Sequence, residues 1–411
     1  MLNERTIFKG VFWSSIGIVF ERAMFFLLPI LIAPLGPASL GIFHLSLRLF
    51  QSIISFPVNL LNILYTHKLR TFLQNPKSLK FEEEAAFLLK VYFTAGLTLG
   101  LIFFIPAVIS SLKSLSFLAL SIPFAMINYY MLTLLRLLQR FERVFIIHVS
   151  AFGFQLIYLI IFIKLLHLGL EAAFLGQLLM SIAISFAATI FLFDRLNILG
   201  LFRKINPSMF MLPPLSLANV LFITFFPLLD LALVASLFGL TTLGHYIVLL
   251  YLPLLLHKLP TTLFAMFIHV ASVKTRASED ITDISKRVFK WILIITSPLF
   301  IVILLYPDIL LSVLFHKSYI RDLNITRLLA VSFFLQSLSW TAGRILVAKN
   351  KRLPLIVSNY SLGLVFVILA LILGPNLGLS GIAISYLIFS VLDVLVKYAL
   401  TVRLAKVNLL S

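Results

Sequence analysis

A row of polar side chains runs through the otherwise apolar stretch 38–66: His44, Arg48, Gln51, Ser55, Asn59, Asn62 and Thr66 follow one another at steps of three or four. Such steps put them all on one face of a helix. Between them stand Leu45, Leu47, Leu49, Phe50, Ile53, Ile54, Phe56, Leu60, Leu61 and Ile63, which suit lipid or packed protein. The row offers neutral donors and acceptors with one permanent cation, the Arg48 guanidinium, whose fork of N–H groups matches carboxylate and phosphate oxygens. A membrane helix can carry such a row along a wet cavity, or along an interhelical hydrogen-bond seam with Arg48 reaching toward an interface. The number of polar positions in one line exceeds what packing requires and favours the cavity.

Other ionisable groups also fall inside apolar runs: Glu21 and Arg22 in the first, Asp230 in the seventh, His257 and Lys258 in the eighth. At a helix centre each costs about 3 kcal/mol even on a lenient insertion scale, so they should meet water or one another. Glu21 and Asp230 are candidates for ion coupling, to H+ or Na+, and equally for structural pairing with a base. Arg22, Arg48 and Lys258 are candidates for holding an anion, although Lys258 with His257 could simply snorkel. His148, His245 and His269 read as packing or interface residues. No nucleotide-binding loop, metal-ligand cluster or nucleophile elbow occurs, and the acids Glu82 to Glu84 read as part of a solvated loop or short surface helix. No catalytic residue, metal or cofactor is expected. With no Cys, disulfides and thiolate metal sites are excluded.

The elements that position these groups follow from composition. Hydrophobic residues make up 61% of the 411, with 40 Phe and a mean hydropathy of +1.10, so the chain reads as an all-α polytopic membrane protein. Twelve apolar segments of helical length can be placed, at about 10–34, 38–66, 86–111, 115–138, 144–166, 170–193, 208–237, 241–271, 287–314, 323–347, 354–373 and 378–402. The formal charge of +18 would suggest nucleic acid in a soluble protein. Here the excess collects in alternate short loops, for example Lys68, Arg70, Lys77, Lys80 and Lys90, then Arg136, Arg140 and Arg143, and lastly Lys397, Arg403 and Lys406. That asymmetry places both termini in the cytoplasm, with anionic lipid headgroups as neighbours and no nucleic acid as partner.

A repeat joins the two halves. Gly36, Leu40, Gly41, Phe43 and Pro57 recur 203 residues on as Gly239, Leu243, Gly244, Tyr246 and Pro260, and Leu168-Gly169-Leu170 recurs as Leu377-Gly378-Leu379. An even number of spans per unit makes the repeats parallel, related by an axis along the membrane normal. The expected layout is two six-helix lobes, residues 1–200 and 201–411, joined by the linker from Asp194 to Pro213.

The stretch from Leu35 through Phe43, with Arg48 and Phe56-Pro57, resembles the first helical hairpin of polysaccharide flippases, as does Gly239 to Pro260. Arg344 to Lys351 followed by Leu377 to Ala383 resembles the tenth to twelfth helices of the same group. This group comprises the O-antigen and lipid II branches of the multidrug/oligosaccharidyl-lipid/polysaccharide superfamily, to which the MATE transporters also belong. The resemblance covers nearly the whole chain and implies two lobes around a cavity that alternates between the membrane faces. In lipid II flippases basic side chains of the first, second and eighth helices line that cavity, and Arg22, Arg48 and Lys258 occupy similar places. The two extra C-terminal helices of the lipid II branch are lacking, which favours the O-antigen type.

These readings give a flippase of the bacterial or archaeal plasma membrane, working as a monomer on a polyprenyl-diphosphate-linked oligosaccharide and driven by H+, Na+ or the membrane potential. A cation-coupled drug antiporter of the same fold is the alternative, and would need Glu21 and Asp230 to dominate over the basic groups. A membrane-embedded glycan polymerase or ligase would need a sizeable outer loop, and the longest candidate, around His316 to Asn324, is short.

Overall fold

The computed structural model describes residues 13, 27–72, 79–109, 114–138, 140–192, 199–202, 214–274, 281–320, 322–349 and 351–405, and nearly all of these described residues are helical. Glu21 and Arg22 lie outside the described residues, as do the side chains of Asn62, Thr66 and His269.

The end of the first span, α1 (27–32), passes through the tight turn Ala33–Leu35 into α2 (Pro37–Phe72). There follow α3 (Leu79–Ile109), α4 (Leu115–Leu137), α5 (Phe141–Leu159), which runs on as a π-helical turn to Leu165, and α6 (Leu170–Leu192). After the short α7 (Leu199–Phe202) comes α8 (Pro214–Lys274), two spans joined across a kink at Gly239. Then come α9 (Ile281–Leu305), α10 (Pro307–Leu314), α11 (Leu323–Ala348), α12 (Arg352–Leu377) and α13 (Leu379–Leu400). The spans expected from sequence can thus be followed in order, the first by its end alone. By length and composition eight of the described helices can cross a membrane, or nine if the bent pair α9–α10 counts as one. The 61-residue α8 counts once in that total, although it doubles back.

Three expectations change. Glu82 to Glu84 belong to α3 rather than a loop, and Glu84 is buried at 5% exposure. The apolar run 287–314 is not one straight span: Pro307 starts a new helix, bent 87° from the last. A proline is well placed at a first helical position and cannot continue the helix before it. Lys90 and Lys397 lie within α3 and α13 rather than in loops.

Two compact units form: residues 1–35 with 43–228, and 36–42 with 229–411. In the first, α3 packs along α4, and α4 and α5 along α6. Gly96 and Gly100, one helical turn apart, allow the first of these approaches, since a methyl group at Gly96 would stand 2.7 Å from the Pro123 Cα. Small residues at such spacing are a common means of close helix contact in membranes. The second unit is built on α11, α12 and α13, with α9 against α11.

The hairpin repeat has a backbone counterpart. Gly36 and Gly239, equivalent in the two halves, both take positive φ, of 97° and 83°. Both turns need a left-handed residue, for which glycine carries no steric cost.

Candidate intramembrane polar sites

The described members of the α2 row, His44 to Asn59, lie along one continuous helix. His44 is buried at 6% exposure, and Arg48, Gln51, Ser55 and Asn59 are half-buried, whereas Leu49 on another face is exposed at 42%. His44 and Arg48 sit one turn apart and interact electrostatically. Within the first unit α2 is fixed on both sides of Arg48. Phe43 packs against Phe174 of α6 at 5.4 Å, and beyond Arg48 the Ser52 hydroxyl donates to the Thr224 carbonyl at 3.0 Å. Phe56 packs against Phe225 at 6.0 Å one turn further on. Phe43, Ser52 and Phe56 thus fix α2 on either side of Arg48, while Arg48, Gln51, Ser55 and Asn59 keep intermediate accessibility.

A second polar seam in this unit joins α4 to α6. The Asn128 amide donates to the Ser181 carbonyl at 3.0 Å and its oxygen accepts from the Ser185 hydroxyl at 2.7 Å. This seam reads as helix register.

In the second unit, Asp230 is buried at 7% exposure, and the Tyr246 hydroxyl, itself at 0%, lies 3.5 Å from its Oδ2. The two residues stand on opposite arms of the Gly239 kink, so that turn brings a buried carboxylate against a phenol. Lys258 follows on the second arm of α8, half-buried, beside His257. His245 behaves as a packing residue: its ring lies 5.7 Å from that of Tyr319, and its Nδ1 is 3.3 Å from the Tyr319 carbonyl oxygen. Arg327, one turn into α11, donates to the Leu304 carbonyl at 3.1 Å, capping the end of α9. No group of three or more metal-ligating side chains occurs among the described residues.

An inward-facing multidrug-resistance MATE transporter of the MOP superfamily superposes with a TM-score of 0.76 at 15% identity, covering 93% of this chain and 95% of that one. An outward-facing MATE transporter gives 0.67 at 16% identity, over 96% and 94%. A MOP-superfamily transporter from Pyrococcus furiosus, described by the reverse polarity of its binding pocket, gives 0.66 at 15% identity, over 95% and 94%. The fold is that of the MATE transporters. No protein-family model and no curated protein matches the sequence.

The MATE-like fold also places together groups that the sequence did not single out. Lys397 approaches both carboxylate oxygens of Asp393, at 2.8 and 2.9 Å, and the Ser339 hydroxyl of α11 donates to the same carboxylate. Asp393 and Ser339 are 4% and 2% exposed. One turn away the Gln336 amide donates to the Ser390 hydroxyl at 3.1 Å. The available signal was the acid and base four residues apart inside an apolar run, which a loop-by-loop count of positive charge assigns to the cytoplasmic side.

Proposed function

We propose that the chain is a membrane exporter of the MOP type. It moves a polyprenyl-diphosphate-linked oligosaccharide from the cytoplasmic to the outer leaflet by alternating access, with two repeated lobes (1–200 and 201–411) as the moving parts. The observation that carries this reading is Arg48: a guanidinium at the middle of a largely half-buried polar row, on a helix that packs through Phe43 and Ser52 on either side of it. A diphosphate is multiply anionic and accepts paired N–H donors, and a site of low dielectric strengthens such contacts. Arg22, Arg48 and Lys258 supply the cationic groups in this reading, and His44, Gln51, Ser55, Asn59 and Asn62 supply neutral partners for sugar hydroxyls. Transfer makes and breaks no covalent bond. The Pyrococcus neighbour, described by a binding pocket of reverse polarity, is a precedent for pockets of differing polarity on this fold. We place the protein in a plasma membrane with both termini cytoplasmic.

The test is a proteoliposome assay of lipid-linked oligosaccharide translocation comparing wild type, Arg48→Ala and Arg48→Lys at equal protein. Loss in the alanine variant, with partial retention in the lysine variant, is expected; wild-type rates in both would refute the assignment.

A cation-coupled drug antiporter is the second reading. The multidrug transporters among the neighbours and the buried Asp230 carboxylate favour it. Extrusion of cationic dyes that is lost in Asp230→Asn and intact in Arg48→Ala would select it.

A further inference from the structure

Four rungs connect α11 and the C-terminal part of the second unit, whose members Ser390, Asp393, Lys397 and Thr401 follow at steps of three or four. Gln336 meets Ser390, Ser339 meets Asp393, Gly343 meets Lys397, and the Ala342 carbonyl accepts from the Thr401 hydroxyl at 3.4 Å. The outer rungs are neutral and suffice to set the register of the two helices. The Asp393–Lys397 pair is different. Burying two charges costs several kcal/mol per ion before their attraction is counted, and an apolar pair of similar volume is often at least as stable. Ionisable groups within a span are retained for function by default.

The two ends of this pair are not equivalent. The Asp393 side chain is 5% exposed and anchored by Ser339, whereas the Lys397 side chain is 14% exposed and extends from a flexible stem. That stem passes Gly343, where even an added methyl would lie 3.9 Å from the lysine Cδ. The ammonium is therefore the movable partner. Lys258 and Lys397 both act electrostatically on His257, so α8 and α13 each bring a basic side chain toward that ring. An anion arriving at this convergence meets an ammonium held by a single carboxylate, and a diphosphate carries more charge and more acceptor oxygens than that carboxylate does.

We propose that Lys397 is a diphosphate-binding residue of the second unit, held ready by Asp393 and released to an anionic headgroup when one arrives. This rests on the anionic-cargo reading given above. Asp393 then acts as a built-in competitor: it keeps the lysine oriented and lowers affinity for the headgroup, which favours release of cargo as well as its capture. Ser339 is a positioning residue that fixes the competing carboxylate.

The experiment measures binding of farnesyl diphosphate, with farnesol as the control lacking a headgroup, to the purified full chain in detergent by microscale thermophoresis. Lys397→Ala is expected to bind about tenfold more weakly and Lys397→Arg to retain binding. Asp393→Asn is expected to bind several-fold more tightly, an outcome that a purely structural ion pair would not give. Should Asp393→Asn fail to fold, the charge-neutral double variant Asp393→Asn with Lys397→Met replaces it and is expected to bind as weakly as Lys397→Ala. Unchanged binding in Lys397→Ala, weaker or unchanged binding in folded Asp393→Asn, or wild-type binding by the double variant overturns the proposal. If Arg48→Ala loses binding while the Lys397 and Asp393 variants do not, this inference fails and the anionic-cargo reading stands. If wild type does not prefer farnesyl diphosphate to farnesol, both fall.

Discussion

Gly41 and Gly244 face each other across a backbone contact that leaves no room for a side chain. A methyl group on Gly41 would stand 2.2 Å from the Leu240 carbonyl oxygen and 3.2 Å from the Gly244 nitrogen, and one on Gly244 would stand 1.9 Å from the Pro37 carbonyl oxygen. The contact is reciprocal: Pro37 and Gly41 are the counterparts, 203 residues earlier, of Leu240 and Gly244. All four belong to the second compact unit, which takes in residues 36–42.

Because the obstructing atoms are backbone, neither approach can be relieved by a rotamer change. Gly41→Ala and Gly244→Ala are each expected to cost about 1–3 kcal/mol through forced backbone displacement. Thermal unfolding of the detergent-solubilised protein should show both variants lowered, and the double variant should fall short of the sum because either methyl already opens the shared contact.

Arg140 and Arg143 both donate to the Phe191 carbonyl, at 2.9 and 2.8 Å, and the Arg143 guanidinium lies 5.4 Å from the Phe191 ring centroid. They cap the last turn of α6, where carbonyls lack helical donors and the dipole is negative. Either alanine variant alone should cost about 0.5 kcal/mol because the other arginine remains, and the double variant about 1–2 kcal/mol. A double-mutant cycle on unfolding midpoints measures the difference.

Tyr246→Phe removes the phenol that faces the buried Asp230 carboxylate and is expected to destabilise by about 1–3 kcal/mol. Asp230→Asn keeps the shape of the side chain without its charge. If Asp230 couples transport to an ion, that variant should abolish the response of transport to an imposed H+ or Na+ gradient in proteoliposomes; an unaltered gradient response assigns Asp230 to structure.

If Arg48 holds the anionic cargo, Arg48→Ala is expected to lower translocation about tenfold or more at equal amounts of folded protein, with Arg48→Lys between the two. Surface glycan display, normalised to protein level, checks it in cells.

What the sequence made legible had a local cause. The α2 row could be read because helical spacing alone fixes its face, and the first-hairpin repeat because Gly36 and Gly239 answer to the same positive φ. Lys397 escaped notice because counting basic residues by loop assumes that they are solvated, whereas its nearest charge is an acid one turn back on its own helix. Glu84 was misplaced for a similar reason: three adjacent acids resemble a loop, yet Phe81, Ala85 and Ala86 around it are buried and extend α3 through them. The triad with Ser339 depends on the pairing of α11 with α13, contacts more than 50 residues apart that periodicity within one segment cannot report.

The elbow at Pro307 has a mechanical consequence. α10 stands at 87° to α9, with Pro307 and Leu311 tucked inward while Ile309 and Val313 are 55% and 78% exposed. Those outward aliphatic side chains favour the boundary between acyl chains and headgroups. Wherever α9 crosses a bilayer, α10 would lie along its boundary as a float and set the depth at which the second unit rides.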